Sequence, residues 1–303
     1  MEKSANLIIG NDQMTECMVI YNLDNVPEDG YLEQGVVTSI HSGHAAGIKY
    51  RENTVFGDVI LIGGDTSYLV SYPSGKVLWS TTQAGNNTHS VEILPGGNLV
   101  FANSTGCDIR LFYTSALLNG DEQTAGTYSS YPFEETHGVL WDPVYERLWA
   151  FGDVALSSYR LIGDGADQRL ELDKVYPIAA YGNAGHDLSP DLTDSRYLYC
   201  SPRFGVLRFD KETGTFDPSV LEGTYLQTVH LKSFSQATDG SFVFTVPNRT
   251  YARRTLEGWW KRSWCTDHIG VLRRLPDGTF QETRYYAENS AYYKSRAFCG
   301  RYL

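Results

Sequence analysis

A short signature recurs six times along this chain, and each copy carries a histidine or a lysine at or next to its first strand position. The copies are Ile48-Lys49-Tyr50-Arg51, His89-Ser90-Val91-Glu92, His137-Gly138-Val139-Leu140, His186-Asp187-Leu188-Ser189, Leu231-Lys232-Ser233-Phe234 and Tyr293-Lys294-Ser295-Arg296. The steps from Lys49 through His89, His137, His186 and Lys232 to Lys294 are 40, 48, 49, 46 and 62 residues. A repeat of roughly 40–50 residues is the sequence mark of a β-propeller, with one four-stranded blade per repeat. The expectation is an all-β chain, a six-bladed β-propeller forming one domain over residues 1–303. Core packing asks for apolar side chains, so six matched positions holding only His and Lys are a clue to function as well.

Short runs rich in β-branched and aromatic residues, punctuated by Gly, Pro, Asp and Ser, place the strands. In the first full repeat they are 49–51, 58–62, 68–72 and 76–79. Later repeats give 89–94, 98–102 and 108–113, then 137–141, 147–151 and 156–161. They continue with 186–188, 197–201 and 205–210, then 232–236, 241–246, 268–275 and 279–286. Only one strand of the last repeat, 293–299, remains at the C-terminus. Its missing partners are the N-terminal runs 7–10, 17–22 and 35–40, so the sixth blade is expected to be built from both ends, leaving no open sheet edge.

Composition narrows the partners. The net charge of −11 argues against a general nucleic-acid or anionic-membrane partner. No apolar run approaches the length of a membrane span, and Met1-Glu2-Lys3 leads into strand-like residues without a signal peptide, which points to a cytoplasmic protein. The five cysteines are odd in number and show no CxxC, so they read as mostly reduced thiols in strands, against the alternative of a disulfide framework.

At His89-Ser90-Val91-Glu92, His137-Gly138-Val139-Leu140-Trp141-Asp142-Pro143 with Leu148-Trp149-Ala150, Gly185-His186-Asp187-Leu188-Ser189-Pro190-Asp191, Lys232-Ser233-Phe234 and Tyr293-Lys294-Ser295-Arg296, the chain resembles an uncharacterised family of bacterial six-bladed propeller proteins, a family defined by a domain of unknown function. The resemblance spans nearly the whole chain and implies a fold without an established activity. A segment around Thr250–Trp264 departs from it.

In a propeller, the innermost strands line a central channel and begin at its mouth. The six signature residues are therefore expected to converge there, with His89, His137 and His186 on one half and Lys232, Lys294 and Lys49 on the other. Arg51 and Arg296 share a strand face with Lys49 and Lys294, because side chains alternate. Three neutral imidazoles, with Asp187 and Glu92 as further ligands or orienting partners, would suit a divalent metal such as Zn²⁺ or Mn²⁺. They would equally hydrogen-bond a sugar. His41 and His44 are spare candidates. The clustered cations need either acidic partners such as Glu52, Asp58 or Glu288, or an anionic ligand gripped by Arg51, Arg296 and Lys49.

Metal-dependent propeller lyases, such as oligogalacturonate lyase and virginiamycin B lyase, are similar in architecture, though they share no motif with this chain. That similarity implies elimination or epimerisation on a sugar acid, with Lys232, Lys294 or His186 as the catalytic base of lowered pKa. The segment 248–264, with Arg249, Arg253, Arg254, Trp259, Trp260 and Trp264, reads as a lid that stacks on a sugar ring or as an aromatic flap packed on a neighbouring blade. The expected partner is an anionic small molecule or oligosaccharide. The competing class is a non-catalytic propeller that binds a peptide or protein across its mouth.

Overall fold

The computed structural model describes residues 6–27, 30–251 and 263–300. Three strands come first: β1 (Leu7–Asp12), β2 (Cys17–Asn22) and β3 (Val36–His41). The next repeat holds β4 (Ala45–Thr54), β5 (Gly57–Gly64), β6 (Ser67–Ser71) and β7 (Val77–Thr81). It is followed by β8 (Thr88–Ile93), β9 (Leu99–Asn103), β10 (Asp108–Phe112) and β11 (Tyr128–Pro132). Then come β12 (Gly138–Asp142), β13 (Arg147–Phe151), β14 (Ala155–Ile162) and β15 (Arg169–Pro177). The fourth full repeat is β16 (Asp187–Pro190), β17 (Tyr197–Ser201), β18 (Leu207–Asp210) and β19 (Thr215–Asp217). The fifth is β20 (Ser233–Gln236), β21 (Phe242–Thr245), β22 (His268–Arg274) and β23 (Phe280–Tyr286), and β24 (Tyr292–Ala297) stands last.

These strands form six four-stranded sheets, the blades of a six-bladed β-propeller. Five blades use consecutive strands, and the sixth has the order β24-β1-β2-β3. In that blade β24 lies antiparallel to β1, with Ile9 opposite Arg296 and Gly10 opposite Ser295, so the two ends of the chain share one sheet as the leftover strands required. By its contacts the chain falls into two compact units of three blades each. One is His44–Gly185; the other is Met1–Gly43 with His186–Cys299.

Within each unit the middle strands are apolar on both faces, because each blade is covered by its neighbours. In the first unit, Leu99 and Phe101 of β9 pack with Val59, Leu61 and Trp79 of the preceding blade. The alternate residues Val100 and Ala102 pack with Val139, Leu148 and Ala150 of the following one. This two-residue alternation turns a strand buried on both sides into a continuous apolar run. In the second unit, Phe234, Phe242 and Phe244 meet Tyr199 and Leu226, while Val243, Ile269 and Val271 meet Ile8, Val19 and Tyr292. Glycine permits one close approach that matters for the site. A Cβ on Gly47 would stand 2.8 Å from Ser90 Cα and 2.9 Å from His89 O, so only glycine lets β4 lie against β8 at this point.

Three fourth strands, β11, β15 and β19, were absent from the sequence reading. β11 and β15 are largely solvent-exposed, and β19 has three residues, so none carries an apolar run. Among the described residues no cysteine lies in a disulfide, and only Cys17 and Cys200 lie in strands, whereas Cys107 sits in a turn at φ 49°. Among the described residues no helix is long and apolar enough to cross a membrane.

Candidate functional site

Each unit contains a buried carboxylate clamped by a lysine and an arginine two residues apart on one strand. In the unit His44–Gly185, Lys49 and Arg51 project from the same face of β4 toward Glu92 on β8. The Arg51 Nε and Nη2 donate to the two Glu92 oxygens at 2.8 Å each, and Lys49 Nζ donates to Glu92 Oε2 at 3.1 Å. Lys49 Nζ also donates to the Val139 carbonyl, and the Ile93 amide donates to Glu92 Oε1 at 3.0 Å. Glu92 is 0% exposed. Burial alone would raise its pKa, but the charges of Arg51 and Lys49, and their hydrogen bonds, outweigh burial and hold the carboxyl below its ordinary 4.5. Beside this clamp, His89 and His137 stack with ring centroids 4.3 Å apart, and His137 Nδ1 donates to the Glu135 carbonyl at 2.8 Å.

The other unit repeats the idea with different spacing. Lys294 and Arg296 on β24 both reach Asp187 on β16: Lys294 Nζ lies 3.2 Å from Oδ1, and Arg296 Nη2 donates to the same oxygen. Lys294 Nζ donates also to the His186 carbonyl at 2.8 Å, and the Phe234 amide on β20 donates to Asp187 Oδ2 at 2.9 Å. Burial lowers the Lys294 pKa from 10.5 to about 8; Asp187 partly offsets this, and Arg296 adds to it. The serines of the signature tie neighbouring innermost strands together. The Ser295 amide donates to Ser233 Oγ at 3.1 Å, and Ser189 Oγ donates to the Phe234 carbonyl at 2.8 Å.

Lys232 breaks the pattern. It precedes β20 and is 3% exposed, yet among the described residues no carboxylate pairs with it. Lysine is almost never buried without such a partner. Its Nζ stands 3.4 Å from both ring nitrogens of His186 and lies 4.4 Å from the Trp264 ring centroid and 5.5 Å from that of Tyr293. The guanidinium of Arg249 covers Trp264 at 4.2 Å. Burial pushes the Lys232 pKa from 10.5 down to about 7, and the charges of Lys294 and Arg249 push the same way. His230 adds a second imidazole 4.1 Å from the His186 ring; burial, then the Lys232 charge, lowers its pKa to about 4. Its Nε2 is buried with no hydrogen-bond partner among the described residues. Trp264 remains 41% exposed. The result is a neutral-leaning amine beside two imidazoles and an aromatic face, with an exposed guanidinium above.

The structure sorts the expected residues. Lys49, Arg51 and Glu92 form one ionic cluster, and Lys294, Arg296 and Asp187 form another. Carboxylates that meet these cations are thus Glu92 and Asp187, which the sequence offered as metal ligands; Asp58 accepts from Tyr50 Oη at 2.7 Å. Lys49 and Lys294 lie inside their strands, as the fifth residue of β4 and the third of β24, and do not start them. His89 and His137 face each other ring to ring, and His186 faces Lys232. Among the described residues no three His, Cys, Asp or Glu side chains are grouped as a metal centre requires. His41 and His44 are exposed. Trp259 and Trp260, with Arg253 and Arg254, lie outside the described residues, while Arg249 and Trp264 from the two ends of that segment meet beside Lys232. Sequence reasoning missed His230 and Tyr293 as neighbours of Lys232. The available signal was His230-x-Lys232, since residues two apart in extended chain share a face.

The chain belongs to the family of unknown function DUF6528, whose profile matches residues 57–296. None of the curated proteins matches it. Among solved structures, a protein of unknown function from Bacteroides caccae is similar over 97% of this chain and 98% of its own, with a TM-score of 0.58 and 10% identity. The β-propeller domain of Cps50 (Swd1) from Myceliophteria thermophila is similar over 80% of this chain and 90% of its own, with a TM-score of 0.50 and 10% identity. At such identity the likeness is one of fold.

Proposed function

We propose that this member of a family of unknown function binds a small sugar acid beside Lys232 and acts on it as a lyase or epimerase. The observation that carries this reading is the Lys232 amine, buried without a carboxylate among the described residues and surrounded by His186, Tyr293 and Trp264. A buried ammonium lacking a counter-ion is unfavourable, and the fold relieves this by favouring the neutral amine or by admitting an anion. The sugar ring packs against the exposed part of Trp264, and its carboxylate pairs with the Arg249 guanidinium that lies over the indole. Lys232 Nζ then accepts the proton from the carbon next to the carboxylate, a step suited to a base whose pKa lies near 7. The electron pair left on that carbon delocalises into the carboxylate facing Arg249. Departure of a β-oxygen substituent, which takes its proton from the Lys232 ammonium, gives the unsaturated acid; protonation of that carbon by water on the opposite face gives the epimer, and Lys232 releases its proton to solvent.

Glu92, Asp187 and their cations are already mutually paired, so the same reading gives them a supporting role and moves recognition to Arg249 and Trp264. The test is exchange chemistry. In D₂O, galacturonate and glucuronate oligomers incubated with the protein are expected to gain deuterium next to the carboxylate or to yield unsaturated product. Lys232→Met is expected to abolish both while folding at least as stably as the parent. Failure of any uronate to bind by calorimetry, together with no exchange, would remove the proposal.

A further inference from the structure

We infer that Lys232 is also a nucleophile, condensing with the ketone of a small 2-oxo acid and holding it as an imine; this rests on the same reading, that an anionic molecule enters beside Lys232. Three lysines of the signature lie at or within innermost strands, and the comparison among them is the first support. Lys49 and Lys294 each spend their ammonium on a buried carboxylate and a backbone carbonyl. Lys232 has neither among its described side-chain contacts, only ring nitrogens and aromatic faces. Its lone pair is therefore not committed to an ion pair. A lysine is activated as a nucleophile by burial and by nearby cations, and both are present: the site is 3% exposed, with Lys294 and Arg249 as the electrostatic neighbours that disfavour its charge.

The second support is the proton path. Imine formation needs a group that moves protons between the amine and the departing oxygen, and both His186 ring nitrogens stand 3.4 Å from Nζ. The step balances as follows. The neutral Nζ adds to the ketone carbon, and one of its protons passes through His186 to the carbonyl oxygen, giving a hydroxyl. The second nitrogen proton follows through His186 to that hydroxyl, which leaves as water, so amine and ketone become imine and water with no oxidant or reductant. The third support is the surroundings. Trp264 and Tyr293 flank the amine, which limits water and slows hydrolysis of the imine. Arg249, exposed and stacked on Trp264, supplies the counter-charge for a carboxylate adjoining the ketone. That pairing selects a 2-oxo acid over a plain aldehyde or ketone.

Borohydride trapping reads this out on the full chain. The protein is incubated with pyruvate or 2-keto-3-deoxygluconate, reduced, digested and mapped by mass spectrometry. A hydride-stable adduct on the peptide carrying Lys232 is expected, absent from Lys232→Met, with surface lysines labelled far less at neutral pH. The rate of adduct formation is expected to rise through a midpoint near 7, where an ordinary lysine would show one near 10.5. Lys294→Met removes a neighbouring charge and is expected to move that midpoint upward, lowering the rate at neutral pH by about tenfold per unit moved. Should that variant not fold, Arg249→Gln, at an exposed position, is expected to move it the same way. Equal labelling of Lys232 and surface lysines, or no adduct from either acid, would overturn the inference. Calorimetry with uronates on the same protein separates the two readings: binding without an adduct defeats the imine alone, and loss of both defeats the site.

Discussion

Removing the negative charge of Glu92 while keeping its shape is expected to destabilise the protein far more than removing the whole ionic cluster. Glu92 is 0% exposed and satisfies Arg51 through two hydrogen bonds of 2.8 Å and Lys49 through one of 3.1 Å. Glu92→Gln preserves volume but turns an acceptor-only carboxylate into an amide, whose N–H groups face the donors of Arg51. Two buried cations then lose the carboxylate that clamps them. Breaking a buried pair in this way costs about 3–5 kcal/mol, and the second stranded cation places this variant at the upper end. For a chain of this size the loss corresponds to a melting-temperature drop of about 6–10 °C. The combined variant Lys49→Met, Arg51→Met, Glu92→Met exchanges the whole cluster for apolar side chains and is expected to lose less than Glu92→Gln alone. The pH dependence has a definite sign. The folded-state pKa of Glu92 is lowered, so its contribution is fully present above the ordinary 4.5 and is lost as pH falls through the folded value. The gap between parent and Glu92→Gln should therefore close below that pH. Urea unfolding followed by tryptophan fluorescence measures each difference. A Glu92→Gln variant within about 1 kcal/mol of the parent, or a triple variant worse than the single one, would refute the reasoning.

Three further outcomes are expected. Lys232→Met should be more stable than the parent at and below neutral pH. The parent's Lys232 pKa is lowered to about 7 from 10.5, so the unfolded chain binds the extra proton between those values and parental stability rises with pH across that window, narrowing the gap by up to about 5 kcal/mol in melts from pH 6 to 10.5. Ending the chain after Ala291 removes β24, the Tyr21–Tyr292 hydroxyl contact of 2.6 Å and both cations of Asp187, so cooperative unfolding is expected to be lost in a calorimetric scan. Arg249→Gln should weaken uronate binding by about ten- to a hundredfold with an unchanged melting temperature, since a charge-assisted hydrogen bond is lost at an exposed position.

The blades were readable because strands covered on both faces, such as Val59–Ile62 and Leu99–Ala102, are continuous apolar runs bounded by turn residues. The sixth blade followed from a strand without partners at one end of the chain and partners without a strand at the other. The sequence begins β4 at Lys49, whereas the strand already runs from Ala45, and Gly47 is the place where it approaches β8. The signature showed which residues are special but not how they pair. Glu92 is 41 positions from Arg51, and Asp187 is 107 from Lys294 and 109 from Arg296, so these clamps exist only once the blades are assembled. Lys232 looked equivalent to Lys49 and Lys294 in the repeat. What separates them is the lack, among the described residues, of a carboxylate beside Lys232, which local sequence does not encode.

The claim at the centre of this account is that Lys232 titrates near 7, so that about half of it is the neutral amine at that pH. Its titration is measured directly by heteronuclear NMR on protein carrying ¹³C at the lysine Cε positions, with the Lys232 signal assigned by its disappearance in Lys232→Met. A midpoint near 7, with Lys294 titrating at about 8, is the expected result. A Lys232 signal that stays fully charged until the ordinary lysine value of 10.5 would contradict the account, because the buried amine would then have a counter-ion and no free lone pair for a proton or a carbonyl carbon.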